Sequence, residues 1–176
     1  KAGDLANDPF VSGTLMSTGS QQNVINLAKG FTAPESGIIK IGSHFEEGSN
    51  VYENGIVGCI PAQNAGAVRA RIVSSKGNTL LPYITFANGE EGMVEGYGKN
   101  KNKALIYTYS DTYVVEKGET LYFEVSNADN KVISGTSYIN WNPVVEYLAY
   151  QPEYSEITYD RNGASFKVTN DPGITE

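Results

Sequence analysis

Apolar and polar residues alternate along most of this chain, and a helical repeat is nearly absent, so the sequence reads as strands separated by Gly, Asn, Asp and Pro. In "AVRARIV", Val68, Ala70 and Ile72 point one way while Arg69 and Arg71 point the other, as in a half-buried antiparallel strand. In "TLYFEV", Leu121, Phe123 and Val125 form the inward row, leaving Thr120, Tyr122 and Glu124 outside. Further strands are expected around Asn23–Leu27, Gly37–Ile41, Gly55–Ile60, Thr79–Phe86, Ala104–Tyr109 and Thr112–Val115. Others are expected at Ser137–Trp141, Val144–Tyr147, Glu156–Tyr159 and Ser165–Val168. The turns "SSKGN", "VEKGET" and "DRNG" supply residues tolerant of positive φ between these runs. So many short strands suit two packed sheets: an all-β, antiparallel β-sandwich, jelly-roll-like, with a C-terminal hairpin.

Three regions are expected. Residues 1–21 have little periodicity and read as an irregular leader, and residues 22–150 as the sandwich. Residues 151–176 contain a hairpin with its loop at Asp160–Gly163, either packed on the sandwich, which is favoured, or opening a next module. The longest unpatterned segment, "ANGEEGMVEGYGKNKNK" (87–103), carries Gly89, Gly92, Gly96 and Gly98 and is the leading candidate for a mobile binding loop.

The single tryptophan sits in "INWNP" (139–143). In an extended segment Ile139, Trp141, Pro143, Val145 and Tyr147 share one face, and Tyr138, Asn140, Asn142, Val144 and Glu146 the other. Alternation thus places Trp141 in the core, unless Asn142-Pro143 breaks the register. The alternative is a sugar platform, because Asn140 and Asn142 flank the ring with amides.

Composition narrows the function. The chain has 176 residues, enough for one substantial domain, with 40% hydrophobic and 19% charged residues. A net charge of −7 opposes nucleic acid, and Lys99, Lys101 and Lys103 alternate with Asn as in a solvated loop. No segment approaches the roughly 18 apolar residues of a membrane span, so no membrane insertion is expected. The start at Lys1 suggests part of a larger multidomain protein. Cys59, the one cysteine, reads as a small buried hydrophobe. Low Lys and Arg with abundant Asn, Gly, Ser, Thr and Tyr suit a secreted or cell-surface module.

The segments "FTAPESGIIKI" (31–41), "VRARIVSSKGNTLLP" (68–82), "VVEKGETLYFEV" (114–125) and "INWNPVVEY" (139–147) carry a resemblance. Together they resemble the bacterial extracellular β-sandwich carbohydrate-binding modules found beside polysaccharide-degrading enzymes and in cell-surface polysaccharide-adherence proteins. In those, an aromatic-ended strand follows a Lys-Gly-Asp/Glu turn, and the module closes on a Trp-x-Pro strand. The resemblance spans about residues 22–147 and implies a jelly-roll-like module that binds a polysaccharide or oligosaccharide. It transfers no ligand residue.

Candidate ligand residues come from the aromatic and amide inventory: Tyr97 with Asn100 and Asn102 in the long loop, Tyr83 beside Pro82, and Trp141 with Asn140. Tyr107, Tyr109 and Tyr113 could join them or fill the core rim. His44 is the sole histidine, which disfavours His-based metal sites and catalytic triads. Glu46, Glu47, Glu90, Glu91 and Glu95 lie in glycine-rich loops without the rigid spacing a glycosidase needs, so no catalytic residue is expected. No cofactor is expected either, although "SNADN" (126–130) could ligate a structural calcium as an alternative to plain Asx turns. Starch-like α-glucan is favoured among ligands, since one Trp with a loop Tyr suits a curved chain. The alternative function is a structural or adhesive spacer contacting a protein partner.

Overall fold

The computed structural model describes residues 10–17, 26–59, 67–87, 94–97, 102–127, 138–150, 153–160 and 163–170. Every regular element among them is a strand. In order they are β1 (Phe10–Ser12), β2 (Leu15–Ser17), β3 (Asn26–Thr32), β4 (Gly37–Glu47), β5 (Asn50–Glu53), β6 (Gly55–Cys59), β7 (Val68–Ser74) and β8 (Thr79–Phe86). They continue as β9 (Val94–Tyr97), β10 (Asn102–Thr108), β11 (Asp111–Val115), β12 (Thr120–Asn127), β13 (Tyr138–Asn140), β14 (Pro143–Tyr150), β15 (Glu153–Asp160) and β16 (Gly163–Asn170).

The chain is an antiparallel β-sandwich. One sheet has the order β3-β12-β7-β8. Opposite it lie a six-stranded sheet, β1-β2-β13-β6-β10-β9, and a smaller one, β11-β4-β14, to which β5 adds at β4. Side chains of β7, β8 and β12 share one hydrophobic core with those of β2, β4, β6, β11 and β13. The expected inward rows of β7 and β12 are fully buried, because period-two alternation gives each strand one apolar face that only an opposing sheet can cover. The expected C-terminal hairpin forms as β15 and β16, with Asp160 paired to Gly163.

Two segments differ from expectation. Residues 10–17 are not an irregular leader: β1 and β2 form a hairpin, and Met16, fully buried, pairs with Ile139 of β13. Three-residue strands are too short to display alternation, so the signal lay below what periodicity can reveal. Within 87–103, Val94–Tyr97 forms β9 and pairs with β10, which makes part of the unpatterned segment a sheet edge. The "SNADN" turn lies largely outside the described residues. Its Ser126 and Asn127 belong to the end of β12, and among the described residues no group of acidic, His or Cys side chains is placed to hold a metal.

The central strand β6 is buried along its whole length because both its faces are covered. Ile56 enters the main core, while Val57 and Cys59 pack with Phe45 and Ala104 under Tyr52 and Tyr138 in a second cluster. The β4–β5 hairpin supplies this cover, with the Phe45 and Tyr52 rings stacked at 4.9 Å. Burial pushes the Cys59 thiol up to about 12, so it is the inert hydrophobe the sequence suggested. Between these residues Gly58 must stay bare, since a Cβ there would lie within 3.0 Å of Phe86.

The "VEKGET" turn shows what its residues do. Gly118 takes φ 81°, and the Glu119 carboxylate is buried. It accepts hydrogen bonds from Tyr113 Oη (2.7 Å) and from the Glu116 amide (3.0 Å), and Ala33 N–H donates to its backbone oxygen (2.8 Å). Burial alone would raise its pKa, but hydrogen bonds with Ser74, the Glu116 backbone and Tyr113, together with nearby Lys76, outweigh it and leave the pKa lowered.

Two outcomes are expected. Gly58→Ala should destabilise the fold by about 1–3 kcal/mol through overpacking against Phe86, read as a lower midpoint in thermal unfolding. Because the Glu119 pKa is depressed in the folded state, its stabilisation is present above the unfolded carboxylate pKa and lost as pH falls through the folded value. Glu119→Gln should therefore flatten the acid limb of stability against pH, and cost about 1–3 kcal/mol at neutral pH.

Candidate functional site

The structure separates the sequence-expected site residues into a buried pair and a pair on neighbouring strands, with Tyr83 on a third element. Trp141 is only 1% exposed, and its ring meets Phe123 edge-on at 5.5 Å and 86°, within the core. This corrects the platform expectation: a ring sealed between two sheets offers no face to a sugar. Asn140 is buried beside it on β13 and is likewise withdrawn from ligand. Tyr97 and Asn102 are paired in register on β9 and β10, and Asn100 lies outside the described residues. Tyr83 is at the surface, 36% exposed.

Its position follows from a bulge. Leu81 and Phe86 are both buried, yet their spacing of five would put them on opposite faces of a regular strand. Ile84 pairs with Ala70 and Leu81 with Ile72, so Pro82 and Tyr83 together oppose the single residue Arg71. Proline, lacking an amide hydrogen, suits such a bulge on an edge strand, and the extra residue turns Tyr83 outward. There both arginines of β7 stack on its ring, with guanidinium carbons 4.0 Å (Arg69) and 4.6 Å (Arg71) from the centroid.

The neighbouring strand completes the lattice. Arg69 Nε donates to Ser126 Oγ (2.9 Å), and Arg71 Nε donates to Glu124 Oε2 (2.5 Å). These bonds follow the register, since Ser126 is paired to Arg69 and Glu124 to Arg71. Tyr122, two residues from Glu124 on the same face, is 38% exposed. Its partner on β3 is Gly30, so the residue paired with it has no side chain to wall the ring on that flank, and Ala28, paired with Glu124, carries only a methyl group. Beyond them Thr32 and Thr120 join hydroxyls at 2.9 Å.

The outer face of β3-β12-β7-β8 is thus an open platform carrying Tyr122, Tyr83, Arg69, Arg71 and Glu124. Outward alternation of Arg69, Arg71, Tyr122 and Glu124 was visible in the sequence, but their assembly into one lattice was not. The available signal was Pro82 lying between inward residues of opposite parity, which foretells the bulge.

Two concavities lie elsewhere. One of about 300 Å³ opens between the edges of β3 and β14, lined by Lys29, Phe31, Phe123, Asn142, Pro143 and Val145. Its ammonium is committed to two carbonyls, Gly13 O (2.8 Å) and Trp141 O (2.7 Å), and burial lowers its pKa. The other, about 190 Å³, surrounds Gly42 and includes Lys40, Glu146 and an exposed His44–Glu53 pair at 2.7 Å. It is smaller than the usual ligand pocket of roughly 300–1,000 Å³.

Comparison with known protein families and with curated proteins finds no match to this chain.

Trp141→Ala is expected to cost about 3–5 kcal/mol, as loss of a large core ring does, measured by denaturant unfolding. The native emission of this single tryptophan should be blue-shifted and shielded from acrylamide.

Proposed function

We propose that the chain is a non-catalytic glycan-binding module whose binding surface is the outer face of the β3-β12-β7-β8 sheet. The observation that carries this reading is the grouping of two exposed tyrosines, two arginines and a glutamate on one outer sheet face. Tyr122 offers an aromatic surface to the C–H groups of a sugar ring, and the charged pair between the tyrosines offers donors and acceptors to its hydroxyls. Tyr83 acts chiefly as a brace: its ring holds the guanidinium planes in place, which lowers the entropy lost when they engage a ligand.

Binding without cleavage fits the same face. Glu124 is the one carboxylate among its described residues, whereas glycoside hydrolysis ordinarily uses two flanking the bond. The preference for starch-like α-glucan rested on Trp141 acting with a loop tyrosine, and the burial of Trp141 removes that ground.

A protein-contacting spacer is the second reading. It is favoured by a separate row of exposed apolar residues, Val114, Ile38 and Leu148, crossing the outer face of β11-β4-β14.

Affinity electrophoresis through gels holding plant, starch-like, acidic and mucin-type polysaccharides tests the proposal. Retardation by at least one glycan is expected, and Tyr122→Ala should weaken it by about tenfold, the scale of one lost stacking contact, with the unfolding midpoint retained. Migration unaffected by any of these glycans would overturn it.

A further inference from the structure

We propose that the sugar taken by this face carries a carboxylate, held by the guanidinium edges of Arg69 and Arg71. The inference rests on the glycan-binding reading and specifies its ligand class. The chain has a net charge of −7, yet this face gathers two arginines against one glutamate and is locally positive. Arg71 is balanced by Glu124. Arg69 is not: its Nε–H goes to the neutral hydroxyl of Ser126, and among the described residues no carboxylate pairs with it.

Geometry adds to charge. Each guanidinium uses only its Nε–H in these bonds, so the four N–H groups on its two Nη atoms stay available as donors. Both guanidinium carbons lie over the Tyr83 ring, and each head group is further restrained by its Nε bond. A planar two-donor edge held in this way matches the two oxygens of a carboxylate, which a lysine ammonium or an unbraced arginine matches poorly. Tyr122, across the Arg71–Glu124 pair, then receives a neighbouring sugar of the same chain. Glu124 contributes selectivity: it leaves the site near one net positive charge, enough for a spaced row of uronates and unfavourable to densely charged polyanions.

The test compares polygalacturonate with neutral xyloglucan and pullulan, and with dextran sulfate as a dense polyanion, by affinity electrophoresis and titration calorimetry on the full chain. Polygalacturonate should bind at least about tenfold more tightly than either neutral glycan, the scale of one charge-assisted hydrogen bond. Arg69→Gln should erase that preference, lowering polygalacturonate binding to the level of the neutral glycans while a cooperative unfolding transition shows that the variant still folds, and Arg69→Lys should not restore it.

Neutral glycans bound as tightly as polygalacturonate, or a preference that survives Arg69→Gln, would overturn the carboxylate assignment and leave the glycan-binding reading standing. Dextran sulfate bound as tightly as polygalacturonate would replace it with general anion attraction. No retention of any glycan would remove both.

Discussion

The contact between Trp141 and Phe123 is the point at which the layers of this molecule are held together. The tryptophan stands where the chain leaves β13, in the six-stranded sheet, and enters β14, in the small sheet. Its ring packs edge-on against a residue of the opposing layer. Its backbone is tied on both sides: its N–H donates to Thr14 O at 2.8 Å, and its carbonyl accepts from Lys29 Nζ at 2.7 Å. One residue thus fixes the β1–β2 turn, the edge strand β3 and the crossing between two sheets. A large apolar ring with a fully bonded backbone suits this place, because the cost of a void or an unpaired peptide group there would fall on three elements at once.

With the layers set, the function-bearing face follows from what each strand must turn away from the core. β7 commits Val68, Ala70 and Ile72 inward, so Arg69 and Arg71 have only the outside. β12 does the same with Tyr122 and Glu124. The antiparallel register then brings these outward residues into direct opposition, and the bulge at Pro82-Tyr83 adds the aromatic brace. Such a lattice is rigid because it stands on paired strands rather than on a loop, which is the arrangement that preserves a binding geometry before ligand arrives. The same lattice also covers Ser126, a polar group buried beneath the arginine stem, so part of its bonding serves the fold.

Much of the fold was legible in the sequence and little of the site. Most strands, the inward rows of β7 and β12, the turns at Gly77 and Gly118, and the C-terminal hairpin were all visible, because alternation and turn chemistry act over a few neighbouring residues. The short strands β1 and β2 were not, since their place depends on Met16 meeting Ile139, far away in the sequence. Of the three candidate site residues whose side-chain exposure is described, Trp141 and Asn140 are buried and Tyr83 is at the surface. The aromatic count was a poor guide because an exposed ring and a core ring have the same letter, and the choice between them is made by what packs against it.

The sequence by itself determined that this protein is built of strands and which side of most strands is apolar, because that information repeats every two residues and needs no partner. The tertiary structure decided which strands lie side by side, that Trp141 is enclosed, and that Tyr83, Arg69, Arg71, Glu124 and Tyr122 share one surface. Alternation specifies a direction, inward or outward, for each side chain. It says nothing about the neighbour on the next strand, which is fixed only when long-range register and the close packing of two layers select one pairing among many.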